Sequence, residues 1–171
     1  MDGFWQQVGG AIASEFADIT DVAEMTRLTV RLLLAAVLGA LLGFEREQKG
    51  KAAGVRTHML VALGSAIFMT IPLQIGVQPA ELTRIIQGMV TGVGFLGAGT
   101  ILKSDDENRV KGLTTAAGIW MTSAIGMTAG LGQEVSAILC TAFALIVFAL
   151  MPRVVRLLGD DMPDPPSAPK T

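Results

Sequence analysis

Three short polar segments interrupt an otherwise apolar sequence and hold the residues best suited to chemistry. They contain Glu45 and Arg46, then Arg56, Thr57 and His58, and finally Thr114 and Thr115. Each segment adjoins a long apolar run. An ionised group at the centre of a bilayer costs roughly 2.5–3.5 kcal/mol on insertion scales. We therefore expect these polar groups to gather in one cluster at a membrane boundary, paired with one another or with a ligand.

Glu45 is the residue of this cluster that most needs a partner, because its side chain is shorter than that of arginine and reaches water less easily. Neighbouring residues on a helix point about 100° apart, which disfavours a pair with Arg46 and favours Arg56 or His58. Thr57 is expected to cap a helix N-terminus, and helix N-termini attract anions. Two interpretations stay open: a structural salt-bridge network, or a site for an external anion or metal ion.

His58 itself is a candidate proton relay or metal ligand. A lone histidine at a helix start is more often a residue that makes a structural hydrogen bond. Thr114 or Thr115 is expected to cap the helix that follows the third polar segment.

A glycine-rich segment is the second candidate site, with Gly88, Gly92, Gly94, Gly97 and Gly99 in twelve residues. Positions 92–97 fit the G-x-G-x-x-G pattern, but a dinucleotide site also needs a preceding strand and an acidic residue about 20 positions on. Position 117 is alanine and the motif lies inside an apolar run, which excludes that function. The glycines instead indicate close helix packing, or a broken helix that lines a path.

The elements that position these residues are predicted from composition. Of 171 residues, 51% are hydrophobic and only 16% are charged, whereas a soluble domain has about 25% charged residues. The predicted class is a membrane protein. A net charge of −2 with no dense basic run argues against nucleic-acid binding. One cysteine and one histidine exclude a disulfide scaffold and a histidine-pair metal motif.

The predicted fold is an all-α integral membrane protein, a bundle of five transmembrane helices. A span needs roughly 20 mainly apolar residues, and the spans are predicted at about 28–46, 57–75, 85–102, 113–133 and 135–152, within a domain at 27–157. An apolar stripe at Val8, Ile12, Phe16 and Ile19 predicts an amphipathic surface helix within 1–26. The Pro-rich stretch 158–171 is predicted to be a disordered cytoplasmic tail.

Basic residues predict the orientation of the bundle. Ten lie on the side of the polar segments and three on the other, which places the N-terminus outside and the C-terminus in the cytoplasm. The polar cluster then lies at the cytoplasmic face. Small-xxx-small pairs, such as Gly39 with Gly43 and Gly126 with Gly130, predict close packing inside the chain or at a dimer interface. Five spans are few for a transporter, which favours a homo-oligomer, most simply a dimer.

Several segments in order resemble the MgtC/SapB family of bacterial inner-membrane proteins. They are LGALLGFERE at 38–47, AGVRTH at 53–58, GS at 64–65, GVGFLGAG at 92–99 and GLTTAAGIW at 112–120. The resemblance extends over positions 28–150. It implies a five-span bundle, in a short form that lacks the soluble C-terminal domain of MgtC-type members.

The resemblance also implies a role in adaptation to low magnesium. It implies a non-enzymatic protein that acts on a membrane partner such as the ATP synthase. The alternative is an oligomeric transporter or channel for magnesium or another small ion. No cofactor is predicted, and direct magnesium binding is left open. The acidic loop at Asp105, Asp106 and Glu107 is expected to be solvated.

Overall fold

The computed structural model describes residues 2–15, 21–103 and 110–159, and these form an almost entirely helical chain. The elements in order are α1 (Asp2–Glu15), α2 (Val22–Gln48), α3 (Val55–Gln74), α4 (Pro79–Gly99), β1 (Leu102–Lys103), β2 (Val110–Lys111), α5 (Leu113–Gly130) and α6 (Glu134–Gly159). The two short strands pair antiparallel. Each of the five predicted spans corresponds to one long helix, α2 to α6.

At the two ends of the chain, the structure describes only part of each predicted segment. The N-terminal segment contains a 14-residue helix, α1, although Phe16 and Ile19 of its predicted apolar stripe lie outside the described residues. The predicted tail is also outside them from position 160 onward. The last helix continues to Gly159, several residues beyond the predicted end of the fifth span.

Three of the described helices are long and apolar enough to cross a membrane by length and composition: Val22–Gln48, Val55–Gln74 and Glu134–Pro152. The chain is therefore a membrane protein with an all-helical core. The other two long helices, α4 and α5, have 21 and 18 residues. Glycine and threonine make up much of both helices, and α4 also carries Glu81 and Arg84.

The middle of the bundle is built from small side chains, with the large apolar ones on its surface. Alanines such as Ala35, Ala62, Ala66 and Ala129 are fully buried. Leu33, Val37, Phe68, Phe143 and Ile146 are exposed at the surface of the bundle. Small residues let helix backbones approach closely, which is how helices associate in a bilayer.

The helix α3 packs against both α2 and α5. A methyl group added at Gly39 would lie 2.7 Å from the carbonyl oxygen of His58, and one at Gly43 would lie 2.6 Å from the Cα atom of Val55. On the other side, a methyl group at Gly130 would lie 2.5 Å from the carbonyl oxygen of Ala66. The predicted small-xxx-small pairs on α2 and α5 thus pack inside this chain.

Polar side chains also link the helices. The hydroxyl groups of Ser65 on α3 and Ser123 on α5 form a buried hydrogen bond of 2.8 Å. Towards one end of the bundle, Arg31 donates to the carbonyl oxygen of Gly130 over 3.3 Å and lies 4.0 Å from Glu134. These contacts tie α2, α3, α5 and α6 into one unit.

A glycine at the start of α5 sets the direction of that helix. Gly112 has a φ of +99°, a left-handed conformation that residues with a Cβ rarely adopt. An added Cβ there would overlap the carbonyl oxygen of Thr100. Gly112 is also the N-terminal cap of α5. The prediction that Thr114 or Thr115 caps this helix is therefore wrong, because both residues already lie inside its first turn.

Candidate functional site

The polar residues converge where α2 ends, α3 and α5 begin, and α6 passes by. We define the polar cluster as Glu45 and Arg46 on α2, Lys49 directly after that helix, His58 on α3, Thr114 on α5 and Phe148 on α6. It lies about 22 Å along α2 from Arg31, at 1.5 Å per residue, and so occupies the other end of the bundle.

Arg46 is the most buried cation of the cluster, with only 4% of its surface exposed. Its Nη2 atom donates to Thr114 Oγ1 over 3.2 Å. Its guanidinium lies 4.5 Å from the centre of the Phe148 ring, within the range of a cation–π interaction. Three helices therefore supply the surroundings of one arginine.

Glu45 forms ion pairs with two residues that are close to it in sequence, one on its own helix and one at the cap of that helix. Its carboxylate is 3.8 Å from Arg46 Nη1 and pairs with Lys49 one turn further along. The expectation that Arg56 or His58 is the partner of Glu45 is wrong. Arg56 is exposed, because two positions on a helix turn a side chain about 200°, so Arg56 cannot face inward alongside His58.

His58 is fully buried. Its Nδ1 atom lies 2.9 Å from the carbonyl oxygen of Gly54, which is a hydrogen bond within the first turn of α3. Its Nε2 atom has no hydrogen-bond partner in the described part of the chain. A methyl group at Gly118 would lie 3.5 Å from this atom and 3.3 Å from the Phe148 ring, so Gly118 provides the space that both rings occupy.

The N-terminus of α3 is held by a carboxylate that the sequence analysis did not assign. The backbone nitrogen of Val55 donates to Glu47 Oε2 over 2.8 Å. Gly54 is the capping residue of α3, so the prediction that Thr57 caps it is wrong. The anion at this helix N-terminus is Glu47 of the same chain, whereas the sequence analysis considered Glu45 or an external anion.

The two remaining threonines of the predicted cluster behave differently. Thr115 is buried, with 3% of its surface exposed, whereas Thr57 is exposed on α3. Of the seven predicted residues, the structure brings Glu45, Arg46, His58 and Thr114 into direct proximity. Lys49 and Phe148 join them and were not predicted.

The glycines of α4 are in a different environment from those that face α3. A methyl group at Gly88, Gly92, Gly94 or Gly99 would meet no atom within 4 Å, whereas one at Gly97 would lie 3.5 Å from Ala116 of α5. Only Gly97 of the five therefore serves the packing of α4 on α5. The neighbouring Phe95 is 82% exposed.

No group of three or more histidine, cysteine, aspartate or glutamate side chains suited to a metal ion occurs among residues 2–15, 21–103 and 110–159. Asp105, Asp106 and Glu107, the acidic loop considered above, lie outside these ranges. The polar cluster contains one carboxylate, two cations and one imidazole.

The family model described as "MgtC family" matches residues 32–157 of this chain. This chain belongs to the MgtC family. The match contains α3, α4 and α5 completely, together with most of α2 and α6, and so includes both the polar cluster and the glycines of α4.

Several curated proteins are similar to this MgtC family chain. Protein SrpB of Synechococcus elongatus is 42% identical over 76% of this chain and 78% of its own length. A protein of Escherichia coli K12 named "Putative magnesium transporter YhiD" is 42% identical over 69% of this chain and 57% of its own length. Protein MgtC of Brucella abortus is 40% identical over 72% of this chain and 51% of its own length. The chain thus spans only about half the length of the last two. No solved structure gives a significant match.

Proposed function

We propose that this chain is a multi-pass protein of the bacterial inner membrane that supports adaptation to low magnesium without being an enzyme. It acts by binding a helix of a membrane partner, either a second copy or a subunit of a complex such as the ATP synthase. Membership of the MgtC family supports the link to magnesium, as does the name of the Escherichia coli relative. The proposal that the chain binds a partner rests on the glycines of α4 that no other described element contacts.

In this proposal five helices cross the bilayer, with the N-terminus outside and the C-terminus in the cytoplasm. Three helices qualify by length and composition. The burial of α5 supports a fourth span, because its Thr122, Ser123 and Gly126 are buried in the bundle and not presented to lipid. The helix α4 packs on α5 and supplies the fifth. The excess of basic residues at the end with the polar cluster supports the orientation.

The geometry of α4 favours a helix as the partner. Gly88 and Gly92 are spaced by four residues and therefore lie on one face of the helix. Nothing in the described chain lies within 4 Å of a methyl group at either position. Small residues at this spacing allow the backbone of another helix to approach closely in a bilayer.

A growth assay tests this function. Gly92→Leu is introduced on α4, with Gly64→Leu as its control, because Gly64 also has no atom within 4 Å of an added methyl group but lies on α3. Both variants should be present in membranes at the wild-type level. Gly92→Leu should fail to restore growth at low magnesium in a strain that lacks the protein, and Gly64→Leu should succeed. Normal growth with Gly92→Leu would overturn the proposal.

A second candidate function is an oligomeric transporter or channel for magnesium or another small ion. The part-buried carboxylate of Glu45, 14% exposed, favours it as a cation ligand. Against it, Arg46 and Lys49 already pair with this carboxylate. Magnesium entry into sealed proteoliposomes with a trapped indicator separates the functions, with protein-free vesicles as the control. We expect no entry above that control, and saturable entry would favour the transporter.

A further inference from the structure

A groove opens beside the polar cluster, between the end of α2, the first turns of α5 and the second half of α6. Its volume is about 720 Å³. One wall carries the cations Arg46, Lys49 and Lys51, and the other carries Val147, Phe148 and Met151. A cationic wall and an apolar wall therefore face the same space.

The cations of this groove outnumber the carboxylates that pair with them. Glu45 is the acidic partner of Arg46 and Lys49 within the described ranges, and it does not line the groove. The Lys49 ammonium also donates to the carbonyl oxygen of Phe148, which uses one of its three N–H groups. The Nε atom of Arg46 is buried and makes no hydrogen bond to any described residue. Lys51 is exposed in the turn after α2. The groove therefore presents an excess of positive charge.

The position of the groove along the helices indicates its depth in the membrane. The candidate span on α2 ends at Gln48, and that on α6 ends at Pro152. Lys49 and Lys51 follow directly after the first end, whereas Val147 and Met151 precede the second. The cations thus lie at or just beyond the end of one candidate span, and the apolar wall lies within another.

We propose that this groove binds an acidic phospholipid of the adjacent leaflet, with its phosphate at Lys49 and Lys51 and an acyl chain along Val147 and Met151. The charge excess selects an anionic headgroup. The apolar wall favours a lipid over free phosphate, which has nothing to place against it. The proposal requires only that the chain is embedded in a bilayer, and it is independent of the role in magnesium adaptation.

Native mass spectrometry of the full chain in detergent tests the proposal, with dioleoylphosphatidylglycerol and dioleoylphosphatidylcholine as probes. The wild type should bind the anionic lipid more tightly. The double variant Lys49→Gln with Lys51→Gln should weaken that binding roughly fivefold for each lysine removed. The matched control is Arg56→Gln with Lys111→Gln, which removes the same charge from exposed residues that do not line the groove.

Two further measurements separate a lipid site from other outcomes. Val147→Trp places bulk on an exposed position of the apolar wall, so it should reduce lipid binding without unfolding the chain. A large excess of inorganic phosphate should not displace the lipid. Equal affinity for the two lipids, an equal loss in the control variant, or full displacement by phosphate would each overturn the proposal.

Discussion

The glycines that face α3 and the glycines of α4 share a spacing but have opposite surroundings. A methyl group at Gly39 or Gly130 would lie within 2.7 Å of a carbonyl oxygen of α3. One at Gly88 or Gly92 would meet nothing within 4 Å. The first set holds the bundle together, and the second lies at the surface, where we propose that another helix binds. A small-xxx-small pattern therefore indicates close approach without identifying the partner.

The largest loss of stability is expected in the polar cluster, which lies on the same helix as the tightly packed Gly39 and Gly43. Glu45→Gln removes the negative charge that Arg46 faces in its buried position, and an unpaired buried charge destabilises by about 3–5 kcal/mol. Because Glu45 is 14% exposed, we expect a value at the lower end. Thermal unfolding in detergent measures it. A transition unchanged from the wild type would show that the cluster does not stabilise this end of the bundle.

Overpacking at the α3 interface should have the next largest effect. Gly126→Ala places a methyl group against the carbonyl oxygen of Ala62, and strain of this kind costs about 1–3 kcal/mol. The unfolding temperature of Gly126→Ala should fall clearly below that of the control Gly64→Ala. Equal stability of the two variants would remove the distinction between internal and open glycines.

A smaller effect is expected where Glu47 meets the first turn of α3. Glu47→Gln weakens a charge-assisted hydrogen bond to the Val55 nitrogen, and losing a helix cap costs about 1 kcal/mol. The matched control is Glu24→Gln, which removes the same charge from an exposed residue near the other end of α2. Hydrogen exchange at the start of α3 should become faster in Glu47→Gln alone, and unchanged exchange would contradict the capping role.

The smallest expected effect on stability is an increase and not a loss. Gly88→Ala with Gly92→Ala adds two methyl groups to open positions of α4, and alanine is favoured over glycine in a helix by up to about 1 kcal/mol. The purified chain should be equally stable or slightly more stable than the wild type. A marked loss of stability would show that these glycines pack within the chain.

The positions of the helices could be predicted from the sequence because each long helix corresponds to an apolar run between polar breaks. The membership of the polar cluster was predictable only in part. The outward direction of Arg56 follows from its spacing to His58, so that error was avoidable. Phe148 lies 102 positions after Arg46, and no local pattern links the two. Lys49 was not proposed as a partner of Glu45, although its spacing of four from Glu45 permits an ion pair.

Which glycines pack against another helix also could not be predicted from the sequence. The glycine pairs on α2, α4 and α5 have the same sequence spacing. Only the packing of the helices shows which pairs contact another helix of this chain. The same limit applies to the start of α3, where the capping carboxylate comes from the preceding helix.

Photocross-linking in intact membranes tests most directly whether the α4 glycine face binds a helix. A photoactivatable phenylalanine analogue replaces Gly92 in one variant and Gly64 in the control. We predict a defined adduct from position 92 and none from position 64, with the mass of the adduct distinguishing a second 17.9 kDa copy from another protein. No adduct at position 92, or equal adducts at both positions, would contradict partner binding by α4.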